Sequence, residues 1–427
     1  MIRHLALAML AVSATALPVA AFEVIGHMTA AEPISEARIA RLPKAQQAAW
    51  RAYLARSRAL MAADKAALAA ERAGRPVPAA PEPGPSGGAG MPLDRPAPWY
   101  AEAEARRVAD TIVSFQTPAG GWGKNVDRSG PPRLRGQYYV PVEHLPAFAR
   151  GDIQADESWN YVGTIDNNAT TSELRFLARV QAALPGPEGA PYRAALLKGI
   201  RYLLAAQFPN GGWPQVYPLQ GGYHDALTYN DDAFAQVATL LAHVGARQGD
   251  YAFVPARLAA EAANAARRAV TLVLDTQVIV DGKRTVWGQQ HDALTLAPAG
   301  ARNFEPVALS SDESADLLIF LMEQPRTPRI EAAVRAGAVW LRAQAIYGFA
   351  WKKAEDGNRR LIAAPGTGPL WSRYYDIRTF KPIFGDRDRS IHDDVNELSP
   401  ERRNGYSWYN AGPTRALAAY AKWERRG

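Results

Sequence analysis

The sequence predicts an all-α fold, a ring of helical hairpins with a few short β-strands carried in its loops. Three observations predict it. An oxygen-rich loop runs straight into an amphipathic helix at residues 164–180, and junctions of the same kind recur twice downstream. A turn of the form Q-x-P-x-G-G-W also appears twice, each time after an amphipathic helix. Repeated units of helix, Gly-Trp turn and helix are what a ring of hairpins produces.

The first junction reads TIDNNATTSELRFLARV. Thr170 and Glu173 have capping-box spacing, and Leu174, Phe176, Leu177 and Val180 supply the apolar face of the helix that follows. Asp166, Asn167 and Asn168 are therefore expected on a loop at a helix N-terminus. Such an end carries partial positive charge and free N–H groups that suit an anion, while Asp and Asn oxygens beside it suit a hard cation. A site for an anion and a metal together is the expectation.

The second junction, TYNDDAF at 228–234, places Asn230, Asp231 and Asp232 before an apolar run through Phe234, Val237, Leu240 and Leu241. Asp231 reads equally as an N-cap, with Asp232 the other candidate for that task. At the third, Arg302 lies upstream of a second capping box, Ser310 with Glu313. Inner helices of a ring run parallel, so their N-termini gather on one face. Asp166, Asp231 and Arg302 should then converge at one mouth.

The turns read QTPAGGW at 116–122 and QFPNGGW at 207–213, with looser versions expected at 277–287 and 344–351. Short strands are expected in the long loops 276–290 and 371–395.

Upstream of the ring the chain divides by composition. Residues 1–21 have a basic start, an apolar run from Leu5 to Leu17 and small residues at a cut site, and read as a signal peptide. Residues 22–74 form an N-terminal helical segment, with Pro43 able to open a helix and Gly74 able to end it. Residues 75–98 are a Pro/Gly/Ala-rich linker, expected to be extended and mobile. The catalytic domain is expected at 99–427. At 427 residues and 48% hydrophobic, the chain can bury one large core or two ordinary ones. It has no cysteine, which excludes disulfide and thiolate chemistry. The net charge of +7 points more to an acidic polymer or surface than to nucleic acid.

A resemblance gathers these motifs. QTPAGGWGKN, TIDNNATTSELRFLARV, GGWPQVYP, TYNDDAF, ARNFEPVALSSDESADLLIFLM, FGDRDRSIH and NGYSWYNAGPTRAL together resemble, in order and over residues 99–425, the family 10 polysaccharide lyases. The resemblance implies an (α/α)3 toroid and a pectate lyase that cleaves de-esterified homogalacturonan by calcium-assisted β-elimination, giving 4,5-unsaturated oligogalacturonides. It implies Arg302 as the base, Asp166 and Asp231 as calcium ligands, and Lys124, Asn167 and Arg387 as substrate-binding residues. The chemistry stands without the family name. Removing the C5 proton of a galacturonate is hard because the adjacent carboxylate is already negative, so that charge must first be neutralised. Read from its chemistry alone, Arg302 is as good a carboxylate clamp as a base, since its pKa lies above about 12. It serves as a base where neighbouring charge favours its neutral form or where it passes its proton on in concert. Asn167 is equally explained by an Asx turn.

Other residues have structural readings. Glu173 and Glu313 cap, His224 and the His291-Asp292 pair are structural, and Trp122, Trp213, Tyr229, Trp287, Tyr406 and Trp408 are mostly core. Arg389 adds charge beside Arg387 without a role the sequence assigns. Two other functions compete: a glycoside hydrolase using Asp166 and Asp231 as its carboxylates, and a non-catalytic polygalacturonate-binding protein. The expected partner is polygalacturonate, with calcium as cofactor, no nucleic acid, and no membrane once the signal peptide is cleaved. The expected form is an exported monomer.

Overall fold

The computed structural model describes residues 24–85, 90–141 and 159–426. The expected signal peptide falls outside them, apart from which no helix of the described residues is long and apolar enough to cross a membrane. Helices are α1 (Glu36–Ile39), α2 (Lys44–Arg72), α3 (Ala103–Ser114), α4 (Thr171–Ala183), α5 (Ala190–Ala206), α6 (Ala233–Ala246), α7 (Ala256–Thr276), α8 (Ser311–Met322), α9 (Pro328–Ala343), α10 (Pro400–Asn404) and α11 (Pro413–Glu424).

Three hairpins, α4/α5, α6/α7 and α8/α9, stand side by side. Their first helices form an inner layer and their second helices an outer one, with α3 flanking the first hairpin and α11 the last. The sequence explains which helix goes where. In α6, AFAQVATLLAHVGA is apolar almost all round, and Phe234, Val237, Leu240, Leu241 and Val244 are all buried, as an inner helix requires. In α7 the buried residues Leu258, Ala262, Ala265, Ala269 and Leu272 make one stripe, and Arg257, Glu261 and Arg267 outside it are exposed. The (α/α)3 toroid expected from the sequence is the fold observed.

Each Gly-Trp turn repeats one device. The indole N–H of Trp122 donates to Ile112 O at 2.7 Å, that of Trp213 to Leu203 O at 2.8 Å, and that of Trp287 to Val273 O at 2.7 Å. The amide of Gln116 donates to Gly120 O within its own turn and to Ala195 O on α5; Gln207 does the same to Gly211 O and Ala265 O on α7. Gln277 bonds Thr285 O and Ala333 O on α9. The glutamine thus closes one turn and ties it to the next outer helix. The fourth tryptophan of this set is Trp371, which donates to Leu341 O. Trp351, expected in that role, lies instead on the hairpin of Phe349–Lys353 with Arg359–Ala363.

The N-terminal helix α2 is packed on the ring. Trp50 and Tyr53 are buried with ring centroids 5.3 and 5.2 Å from that of Phe208, and the Tyr53 hydroxyl donates to Ala206 O. Residues 75–85 of the linker run without helix and are anchored: Pro83 bridges Val126, and Gly84 N–H donates to Asn125 O. A β-carbon on Gly84 would lie 2.7 Å from the Asp127 backbone, so this close crossing needs glycine. The short strand Gly26–His27 adds to the hairpin of Phe384–Gly385 and Ser390–His392.

Candidate active site

The N-termini of the inner helices meet at one end of the ring, as their parallel course requires. The loops before α4 and α6 have the same backbone. Asn167 sits at φ 50, ψ 39 and Asp231 at φ 51, ψ 38, after Ile165 at φ −105, ψ −2 and Tyr229 at φ −107, ψ −4. Asn and Asp tolerate this left-handed conformation best among residues with a side chain. Thr164 and Thr228 brace the loops alike, their hydroxyl oxygens accepting from the N–H groups of Asp166 and Asn230. Asp166 therefore corresponds to Asn230, and Asn167 to Asp231.

These loops and the 302–305 turn enclose a cavity of about 130 Å³, lined by Lys124, Asp166, Asn167, Asp231 and Arg302 among others. Five of the six residues expected at the site share it. Arg387 does not line it. Its guanidinium pairs with Glu401 at 3.2 Å and lies 4.6 Å from the centre of the Phe304 ring, on which the Arg302 guanidinium also rests at 4.8 Å.

Asp166 is buried and has donors on both oxygens: Lys124 Nζ at 2.7 Å on one, Gln215 Nε2 at 2.9 Å and Asn230 Nδ2 at 3.4 Å on the other. Burial pushes its carboxyl up, but the Lys124 charge, these hydrogen bonds and Arg302 outweigh burial and hold it below the usual range. Asn230 also donates to Asp231 Oδ2 at 2.8 Å, so one amide links the two acids. Asp231 keeps access to solvent yet is crowded by protein; that desolvation and the nearby Asp166 charge push its carboxyl up. The Lys124 ammonium sits 3.5 Å from the centre of the Tyr161 ring.

Arg302 is locked to Glu305. Its backbone N–H, Nε and Nη2 donate to that carboxylate at 3.0, 2.9 and 2.5 Å. Burial works against the Arg302 cation, but the Glu305 charge outweighs it and raises the guanidinium well above its ordinary value. Burial likewise disfavours the Glu305 anion, yet the fork lowers its carboxyl to about 2. The Tyr406 hydroxyl completes Glu305 at 2.7 Å.

Both expected capping boxes are replaced by ion pairs. Thr170 has φ 64 and makes no cap; its hydroxyl oxygen accepts from Trp122 N–H, and Glu173 pairs with buried Arg128 at 2.9 Å. The Ser310 hydroxyl donates to Glu313, whose carboxylate pairs with Arg373. Asp231 is no cap either, and Asp232, at the N-cap of α6, makes no side-chain capping bond. His291 accepts from Gly288 N–H and bonds Leu296 O through its other nitrogen, a structural role. Trp122, Trp213, Trp287 and Trp408 are fully buried and serve the core.

Sequence reasoning missed Glu305, Asn230 and a positional rule. The residue two places after each turn tryptophan points to the site: Lys124 and Gln215 reach Asp166, Gln289 reaches Asn230 and Glu305, and Arg373 reaches Asn230 and Glu313. The signal was present as W-x-Lys, W-x-Gln and W-x-Gln in the three turns recognised from the sequence; the fourth, W-x-Arg at 371–373, follows a tryptophan that the repeat did not identify.

Comparison with known proteins agrees with this geometry. The pectic acid lyase family profile matches residues 116–417. No curated protein matches the chain. The family 10 polysaccharide lyase from Cellvibrio cellulosa is similar at 31% identity, with a TM-score of 0.65, covering 79% of this chain and 97% of its own. An aspartate-to-alanine mutant of that lyase, solved in complex with trigalacturonic acid, is also 31% identical, with a TM-score of 0.64 over 78% of this chain and 98% of its own. With the toroid, the shared loop backbones and this match over most of the ring, the chain belongs to the pectic acid lyase family and is a family 10 polysaccharide lyase.

Proposed function

We propose that this lyase cleaves de-esterified homogalacturonan by β-elimination, releasing 4,5-unsaturated oligogalacturonides, with calcium held at Asp166 and Asp231. The observation that carries the reading is the charge of the cavity wall. Three carboxylates, Asp166, Asp231 and Glu305, face two cations, Lys124 and Arg302. A polyuronate entering that wall is repelled unless a further cation is present. The likeness to a lyase solved with trigalacturonic acid supports this substrate class.

The donors fit a hard divalent ion. They are all oxygens, and the side-chain carbonyls of Gln215 and Gln290, which line the cavity, are buried without a hydrogen-bond donor among the described residues. Among the described residues no three His, Cys, Asp or Glu side chains are grouped to hold a metal, so substrate and water oxygens would complete the shell. Calcium, when bound, supplies the positive charge that neutralises a uronate carboxylate and makes its C5 proton removable.

Lys124 and Arg302 bind and orient the uronates. Arg302 takes the C5 proton. Glu305 holds the guanidinium cationic at rest, so the transfer is concerted: Nη2 passes its proton to the Glu305 carboxylate as the arginine accepts the C5 proton, and the 4-oxygen leaves. Full methyl esterification removes the carboxylate on which this depends, so unesterified polymer is the better substrate. We assign the enzyme to the exported compartment, on the apolar leader at 5–17.

Ultraviolet absorbance on polygalacturonate tests the reading. It should rise with calcium and stay flat with a chelator. New reducing ends without absorbance would make the enzyme a hydrolase, and retention on immobilised polygalacturonate without either signal would make it a binding protein.

A further inference from the structure

We propose that the pocket between α2 and the ring is a second sugar site, which takes one uronate residue of the same polymer at a distance from the reacting bond. The idea rests on the pectate lyase reading for its ligand class, but its geometry is independent of the cavity described above. The pocket has a volume of about 320 Å³, within the range of about 300–1,000 Å³ usual for small-molecule sites.

One stripe of α2 supplies a wall: Leu54, Ser57, Arg58, Met61 and Lys65 follow the 3–4 residue spacing of a single helix face. Arg58 and Lys65 are exposed at the rim, and the Lys65 ammonium lies 5.5 Å from the centre of the Trp159 ring. They offer a fork and a point charge for one carboxylate. Opposite them, Trp159 and Asn160 line the pocket with an unusual pair of atoms. Among the described residues the indole N–H of Trp159, a residue 5% exposed, has no acceptor, and Asn160 Oδ1 has no donor. Orphaned buried polar groups are costly and rare. A sugar hydroxyl both donates and accepts, the two roles that these atoms lack. Leu54 and Met61 give the apolar surface that the carbon face of a pyranose needs. The site is also continuous with the catalytic wall, since Gln220 of the pocket accepts from Tyr161 N–H and the Tyr161 ring lines the catalytic cavity. The family profile begins at residue 116, so α2 adds this site to a ring that the profile covers without it.

The test uses the full-length mature protein carrying Arg58→Glu and Lys65→Glu, two exposed positions outside the catalytic cavity. KM on polygalacturonate should rise roughly tenfold, the equivalent of one lost charge-assisted contact, while kcat and the kinetics on trigalacturonate stay unchanged. Calorimetric titration of the wild-type protein with digalacturonate should show two binding events and the variant one. An unchanged KM on polymer, an equal rise on polymer and trimer, or a single event in the wild type overturns the proposal. If the wild type produces no unsaturated product yet shows two binding events, the lyase reading fails and this pocket stands.

Discussion

Arg302 and Glu305 act as one group, and their substitutions separate chemistry from stability. Arg302→Ala should fold and bind oligogalacturonate but lose roughly 10²–10⁴-fold in turnover, the usual worth of a general base; wild-type rates of absorbance on polygalacturonate would remove it from the mechanism. Glu305→Gln keeps the shape but removes the acceptor for the arginine proton, so kcat should fall by about 10²-fold with little change in KM. It should also show a pH signature. Glu305 titrates near 2 in the folded chain and near the usual 4.5 when unfolded, so its contribution is present above about 4.5 and lost as pH falls through about 2. Thermal unfolding at pH 7, 4 and 2.5 should therefore find E305Q less stable than the wild type at pH 7, with the gap closing as pH falls. A gap that is constant across that range would mean that the carboxylate charge contributes nothing. Glu305 was hard to see in the sequence because one acid three residues from an arginine is common, and only the fold shows that Glu305 faces the same cavity as its partners Arg302 and Gln289. Asp166 was legible because a strong helix follows it. Asn230 was not, since an amide gains importance only once the two loops superpose on each other.

The helices and turns explain where local rules held and where tertiary contacts replaced them. The repeated glutamine-to-tryptophan turn was legible from spacing, and its cause is the amide that joins neighbouring outer helices. Gln207→Ala should leave the Gly211 and Ala265 carbonyls without that donor and cost about 1–3 kcal/mol, read as a lower Tm with turnover retained at low temperature. A Tm equal to the wild type would show that water replaces the amide. The capping boxes failed for a different reason. Thr170 adopts a positive φ that turns its hydroxyl towards Trp122, and buried Arg128 and Arg373 attract the glutamates that a free helix would use as caps. Helix α8 also carries a local conflict. Burial, with the Asp232 charge next, pushes the Asp316 carboxyl up to about 8, despite its pairing with Arg415. A raised pKa means stability is greatest below the unfolded value near 3.8 and declines as pH rises through about 8. Asp316→Asn should therefore raise Tm at pH 9, by an amount that shrinks and then vanishes towards pH 4. A destabilised variant at pH 9 would show that the Arg415 pair outweighs the burial of the charge.

The division of the chain by composition into a helical segment, a linker and a ring does not correspond to separate hydrophobic cores. Trp50 and Tyr53 of α2 belong to the same buried cluster as Phe208, Tyr217 and the inner helices. Polar bonds reinforce the contact: Asp64 accepts from Ala119 N–H at 2.7 Å, Ser57 from Leu219 N–H at 2.8 Å, and Glu71 pairs with Arg133 at 2.7 Å. A linker rich in proline and glycine marks a change in local structure, but it cannot reveal whether the element before it returns to the ring. Helical spacing does not settle that either, because an amphipathic helix needs some apolar partner and the pattern does not name which one. The packing predicts that α2 and the toroid unfold together. Calorimetry of the mature chain should give one transition, and Tyr53→Ala should shift that whole transition down by about 3–5 kcal/mol of stability, because it removes a fully buried ring and the hydrogen bond to Ala206. Two transitions, with Tyr53→Ala moving only the smaller, would instead make α2 an independently folded appendage, and the pocket it forms with the ring would then be a transient feature of the enzyme.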